Sequence, residues 1–121
     1  LQRADIVTLH TPLTPQTRHL INAQRLSQMR PGAILVNTCR GPVVDESALA
    51  VALNQGTIAG AAIDVFEHEP PTGSPLLQAP NCLFSPHVAG ITIQTNIRTA
   101  AHCAAEIHRV LHNHPPHWRI N

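Results

Sequence analysis

The stretch AILVNTCRGPVVDESALAVALNQG, residues 33–56, reads as strand, turn and helix in direct succession. Ala33 to Cys39 form a mostly apolar run without strict alternation, which suits a short strand buried on both faces of a parallel sheet. Arg40, Gly41 and Pro42 then turn the chain. Asp45 and Glu46 stand where helix N-termini favour acids, and Ala48, Leu49, Ala52 and Leu53 make one apolar face. Gly56 follows where a helix stops. The segment therefore sets a permanently charged arginine at the mouth of a strand.

Outward from this unit the pattern repeats. DIVTLH from Asp5, IAGAAIDVF from Ile58 and CLFS from Cys82 read as further strands, and INAQRLSQM as a helix stopped by Arg30-Pro31-Gly32. Ile93, Ile97, Ala100, Ala104, Ile107 and Leu111 recur at steps of three and four, a stripe on one amphipathic helix of about five turns. Strands alternating with helices predict an α/β fold, an open parallel sheet with helices on both faces. The proline-rich connection from Glu67 to Pro80 is long enough to be functional or a surface loop.

The chain of 121 residues suffices for one domain at most. Its eight basic residues are all arginine, dispersed against seven acids for a net charge of +1, so nucleic acid and anionic lipid are not expected partners. Cys39, Cys82 and Cys103 lie far apart in apolar segments, which suits buried thiols in a reducing compartment. No apolar run reaches membrane-spanning length and no signal peptide is visible, so a cytoplasmic protein without a membrane partner is expected. The chain opens at Leu1 within a pattern and without an initiator Met, as a fragment does.

In a parallel sheet, ligands sit in the crevice at the carboxyl ends of the strands. Here the first strand is followed by His10-Thr11-Pro12 and the second by Arg40-Gly41. The third runs through Asp64 toward Glu69, and the fourth leads through Ser85-Pro86 into His87. An arginine fork grips a carboxylate, a histidine gives or takes one proton, and a neighbouring glutamate favours the charged imidazole. Together these groups suit a 2-keto or 2-hydroxy acid. Singly, each has an ordinary reading: Arg40 a solvated loop arginine, Glu69 a surface acid, His87 a hydrogen-bonded structural histidine, Asp64 a helix cap. Their succession at the strand ends favours the site. His108 and His112, one helical turn apart, with His114 and His117, invite a metal. No cysteine or acid follows Glu106 to complete such a set, so no metal is expected.

VNTCRGPVVDESAL, AGAAIDVFEHEPP and SPHVAG resemble, in order and spacing, the three signature segments of the D-isomer-specific 2-hydroxyacid dehydrogenases. Glycerate, phosphoglycerate and hydroxypyruvate/glyoxylate reductases belong to that family. The resemblance runs from ADIVTLHTPLTPQTRHLIN to HWRIN. It implies the second half of a Rossmann-type doubly wound parallel sheet, ending in the long amphipathic helix. Residues 1–112 would be the C-terminal part of a dinucleotide-binding domain, and 113–121 a tail returning toward a substrate domain. The implied reaction is hydride transfer between NAD or NADP and a small 2-keto or 2-hydroxy acid, in a protein that is a homodimer at full length. By the same resemblance Arg40 binds the substrate carboxylate and polarises the keto oxygen, His87 is the general acid/base, and Glu69 is the partner of that histidine. Asp64 would hold the nicotinamide carboxamide, Thr11, Pro12 and the Thr38–Cys39 backbone would line the cofactor, and Ala89 and Gly90 would lie near the nicotinamide. Glutamate at 69 argues against the formate dehydrogenase branch, and HVAGITIQTNIR looks most like bacterial hydroxypyruvate, glycerate or related hydroxyacid reductases.

The chain also departs from the family. None of its six glycines forms G-x-G-x-x-G, the phosphate-cradling turn that in these enzymes precedes the segment present here. The isolated chain is therefore expected to be inactive. In the strand order 3-2-1-4-5-6 its first strand would be the fourth, with a bare edge from Asp5 to Leu9 that favours association. Two rival readings remain: a nucleotide-sensing scaffold like the C-terminal-binding-protein corepressors, which resemble the same family, and a truncated remnant without activity.

Overall fold

In the computed structural model, which describes residues 1–119, four strands form one parallel sheet in sequence order. They are β1 (Ile6–Leu9), β2 (Ile34–Asn37), β3 (Gly60–Ile63) and β4 (Cys82–Phe84). Each falls inside a run that the sequence marks as a strand. The register sets Leu9 beside Asn37, Asn37 beside Ile63 and Ile63 beside Phe84, so the carboxyl ends are flush. The residues that follow, His10, Thr38, Asp64 and Ser85, therefore leave the sheet along a single edge.

The strands are not buried on both faces, as their composition suggests. Leu9, Leu35, Ala61 and Ile63 lie in the core, whereas Ile6 is 63% and Ile34 41% exposed. A strand covered on one side alternates in burial, whatever its composition. Close approach shapes the far edge: a Cβ on Gly60 would lie 2.9 Å from the Asn81 carbonyl oxygen.

Two helices pack together in this part of the chain, α1 (Ala23–Leu26) and α2 (Glu46–Asn54). In α2 the Asp45 carboxylate accepts the Ala48 N–H at 2.9 Å, while Leu49, Ala50, Ala52 and Leu53 enter the core. Gly56 takes a left-handed φ of 68° past the helix end. Helix α1 is shorter than the INAQRLSQM pattern suggests. Asn22 caps its first turn, so Ile21, paired with Val44, stays outside the helix, and after Leu26 the chain runs on as a turn. The connection from Glu67 to Pro80 is packed down by a 3-10 turn, Pro75–Gln78, whose Leu76 is fully buried and which lies against α2.

The chain divides into two compact units, Leu1–Ala89 and Gly90–Asn121. The second holds α3 (Ile93–Leu111), whose 19 residues make about five turns. It opens on a reciprocal capping box between Thr92 and Thr95. Within this unit the tail folds back on its helix. Arg109 donates to the Pro115 carbonyl at 3.0 Å, His117 Nδ1 lies 2.6 Å from the Glu106 carboxylate, and the Trp118 ring stacks on His102. The end of the expected returning tail, Ile120 and Asn121, lies outside the described residues. No described helix is long and apolar enough to cross a membrane. Among the described residues no cluster of three His, Cys, Asp or Glu side chains is placed to hold a metal.

The thiols are less uniformly buried than expected: Cys39 and Cys82 are half-buried and Cys103 is exposed. Burial pushes the Cys82 thiol up to about 11, so it stays protonated near neutrality.

Candidate active site

At the end of β2 the chain turns sharply around Asn37, which is 1% exposed. Its Oδ1 accepts the Cys39 N–H at 3.1 Å and its Nδ2 donates to the Arg40 carbonyl at 3.0 Å. A buried amide with donors and acceptors both satisfied gives a stiff turn. The Arg40 side chain projects to the surface, where its guanidinium donates to the Cys39 carbonyl at 2.6 Å.

Gly41 then passes directly under the segment that leaves β3. An ideal Cβ there would lie 1.9 Å from the carbonyl carbon and oxygen of Phe66 and 2.5 Å from the Glu67 nitrogen. Only a residue without a Cβ permits that approach. The turn bearing Arg40 is thereby seated against the backbone just ahead of Glu69.

Glu69 and His87 are paired. Glu69 Oε2 lies 2.9 Å from His87 Nδ1, and its other oxygen accepts the Phe66 N–H at 3.0 Å. The hydrogen bond from His87, and then that from Phe66, hold the Glu69 carboxyl below the usual glutamate range. An ionised Glu69 accepts from Nδ1–H, which leaves Nε2 of His87 as the nitrogen free to exchange a proton. A cavity of about 420 Å³ opens beside the pair, walled largely by Phe66, Pro70, Pro71, Leu77, Phe84 and Pro86.

His87 itself has a left-handed backbone, φ 54°, a conformation that is sparsely populated for a residue with a side chain. Asp64 secures it. The Asp64 carbonyl accepts the His87 N–H at 2.9 Å. Its carboxylate accepts the Ser85 hydroxyl at 2.5 Å, the Val88 N–H at 2.9 Å and the Ala89 N–H at 3.0 Å. Asp64 is 3% exposed. Burial is the largest single influence and raises its pKa, but the bonds from Ser85, Ala89 and Val88 together with the His87 charge bring it below the usual range. Asp64 thus ties down the segment that carries His87 and caps no helix.

Both depressed carboxylates contribute stability above their unfolded values, 3.8 for Asp64 and 4.5 for Glu69, and that stability is lost as pH falls through the lower folded values. Thermal unfolding followed from pH 7 to pH 3 is expected to show a Tm that is flat above about pH 5 and falls below about pH 4. Asp64→Asn lowers Tm throughout and flattens the acid decline; an unchanged acid slope in that variant would refute the assignment.

A second cavity of about 410 Å³ is lined by His10, Thr11, Pro12, Leu13, Thr38, Cys39 and Arg40. It brings together four of the residues expected to line a cofactor, alongside Arg40. The Thr11 hydroxyl oxygen there is buried and has no hydrogen-bond partner among the described residues. Such an atom is costly unless a bound group satisfies it. Arg40 and the Glu69–His87 pair line separate cavities along the same edge. Ala89 closes the first unit on the Asp64 carboxylate, and Gly90 begins the second.

Sequence reasoning passed over Asn37, Gly41 and Ser85 as working parts. Asn at a strand end and Gly before Pro are ordinary turn residues, so composition alone did not separate them from any other turn.

Residues 1–89 match the family model described as D-isomer specific 2-hydroxyacid dehydrogenase, NAD binding domain. The chain is 48% identical over 122 residues to a glyoxylate reductase of Thermofilum pendens, covering 100% of this chain and 36% of that protein. It is 49% identical over 107 residues to glyoxylate/hydroxypyruvate reductase B of Escherichia fergusonii, covering 88% of this chain and 33% of that one. A crystal structure of a D-isomer specific 2-hydroxyacid dehydrogenase from Xanthobacter autotrophicus Py2, in complex with NADPH and MES, superposes with a TM-score of 0.81 at 46% identity. It covers 98% of this chain and 48% of that one. The chain thus spans about a third of the length of these curated relatives.

Proposed function

Since the chain belongs to the NAD-binding domain family of the D-isomer specific 2-hydroxyacid dehydrogenases, we propose that it carries the catalytic edge of an oxidoreductase acting on a small 2-keto or 2-hydroxy acid. Glyoxylate and hydroxypyruvate are the substrates favoured by the names of its relatives. The observation that carries the reading is the Glu69–His87 pair, held at 2.9 Å by a left-handed segment that Asp64 secures.

In this reading Arg40 binds the substrate carboxylate as a bidentate fork and draws charge from the keto oxygen. His87 Nε2 gives its proton to that oxygen during reduction and takes one from the hydroxyl in the reverse direction. Glu69 keeps the imidazole oriented and stabilises its charged form.

A dinucleotide fits the groove at Thr11, Pro12, Thr38 and Cys39, where the buried Thr11 hydroxyl lacks a partner. Asp64 uses three of roughly four acceptor positions on Ser85, Val88 and Ala89, leaving about one for the nicotinamide carboxamide. By the family resemblance Ala89 and Gly90 are read as the residues near the nicotinamide. When bound, NAD(P)H supplies the hydride. Residues 1–112 are read as the C-terminal part of the dinucleotide-binding domain, 113–121 as the return toward a substrate domain, and the working form as a homodimer. A corepressor-like scaffold is not favoured, because the relatives above bear reductase names.

The test is NADH oxidation by the protein at its natural length, with glyoxylate and hydroxypyruvate in turn. Turnover with either supports the reading. No oxidation with either, in a sample that binds NADH, would sink it.

A further inference from the structure

We propose that Glu46 is a positioning residue: it holds the segment from Phe66 to Ser74, and through it Glu69, in the place from which Glu69 orients His87. The proposal rests on the reading of His87 as the acid/base.

An acid in the first turn of a helix is ordinarily left in water, where the helix dipole suffices to explain it. Glu46 instead turns inward and is 8% exposed. Its Oε1 accepts the Glu67 N–H at 2.5 Å and its Oε2 accepts the Ser74 hydroxyl at 2.5 Å. The bond is returned, since the Glu46 N–H donates to Glu67 Oε1 at 3.2 Å. Glu67 is further engaged by His19 Nε2 at 3.1 Å. Both ends of the segment that carries Glu69 are thus fastened to the first turn of α2.

The link to the catalytic pair is one peptide long. The N–H of Phe66 is bound by Glu69, and the next N–H, that of Glu67, is bound by Glu46. Two successive peptide groups, joined at the Phe66 α-carbon, therefore point at two carboxylates, so a shift of this backbone bears on both bonds. Burying a carboxylate on neutral donors is expensive, and an exposed acid would serve the helix equally well. A shift of about 1 Å in a positioned group costs up to about 100-fold in rate.

The experiment compares Glu46→Ala, Ser74→Ala and the core control Ile58→Val. In the 121-residue chain, carbon-13 NMR follows the Glu69 carboxyl titration. Glu46→Ala removes both acceptors and is expected to raise the Glu69 midpoint toward the ordinary glutamate range. Ser74→Ala, which keeps the Glu67 bond, raises it less. Ile58→Val lowers Tm and leaves the midpoint where it was. In the natural-length protein, Glu46→Ala is expected to lower kcat about 10- to 100-fold with the KM for NADH unchanged. A folded Glu46→Ala chain with a wild-type Glu69 midpoint overturns the proposal; if that variant does not fold, an unmoved midpoint in Ser74→Ala does so. A natural-length protein that reduces no 2-keto acid, yet whose Glu69 midpoint still moves in Glu46→Ala, rejects the catalytic reading and upholds Glu46 as the support of Glu69.

Discussion

Replacing His87 with alanine is expected to lower turnover in the natural-length protein by about 10²- to 10⁴-fold, the worth of a positioned acid/base, while leaving NADH affinity unchanged. The separation follows from geometry. His87 Nδ1 is occupied by Glu69, its backbone N–H by the Asp64 carbonyl, and its ring lines a different cavity from Thr11, Thr38 and Cys39. The ring shares its own cavity with Asp64, but alanine keeps the backbone bond to the Asp64 carbonyl and leaves the Asp64 carboxylate on Ser85, Val88 and Ala89, so the groups proposed to hold the dinucleotide keep their places. Steady-state kinetics with glyoxylate and a fluorescence titration with NADH measure the two quantities separately. A loss of NADH binding as large as the loss of turnover would contradict the role. Glu69→Gln is the milder companion, because the amide oxygen still accepts from Nδ1–H but no longer stabilises the charged imidazole.

Gly41→Ala is the substitution with the largest expected structural effect. The added carbon would lie 1.9 Å from Phe66 backbone atoms, a contact that no rotamer change relieves because the backbone fixes the Cβ and the Phe66 atoms are main chain. Overpacking of a well-packed site typically costs about 1–3 kcal/mol, and a backbone clash belongs at the upper end. Either the turn after β2 or the segment after β3 must move. The first carries Arg40 and the second leads to Glu69, so the groups proposed to hold the substrate and to orient its acid separate. Denaturant unfolding of the 121-residue chain is expected to show a loss of about 3 kcal/mol. In the natural-length protein kcat/KM is expected to fall about 100-fold. A variant as stable and as active as the wild type would show that the close approach has no bearing on the site.

Much of the architecture was legible without coordinates. Apolar runs at DIVTLH, AILVNTC, IAGAAIDVF and CLFS each contain a strand, and the Ile93 to Leu111 stripe is a helix of the expected length. Asp45 caps α2, as an acid at that position suggests. Burial was less legible. Ile6 and Ile34 are apolar yet exposed, because composition reports what a residue tolerates and not whether an element covers it. The length of α1 was also misjudged: Ile21 pairs with Val44 and Asn22 becomes the N-cap, a contact between distant segments that apolar spacing does not encode.

The candidate site divides in the same way. Arg40, Asp64, Glu69 and His87 were visible because reactive side chains that follow successive strands must leave a parallel sheet on one side, and the flush register places those strand ends together. Glu46 was visible only as a helix-start acid, Gly41 as a turn residue, and Asn37 and Ser85 as members of strand runs. Their roles lie in partners that local pattern does not encode: Glu46 meets Glu67 across 21 positions, and His19 meets Glu67 across 48.

The sequence by itself determined the order of strands and helices, the family, and the identity of the groups fit for handling a proton and a carboxylate. Helical and strand periodicity, caps and turn residues act over a few positions, and the chain carries them wherever it goes. The tertiary structure alone decided that Asp64 ties down the His87 segment, that Gly41 lets two turns touch, and that Glu46 faces inward. Those outcomes depend on hydrogen bonds and contacts between segments far apart in the chain, which form only at distances of a few ångströms once packing has brought the segments together.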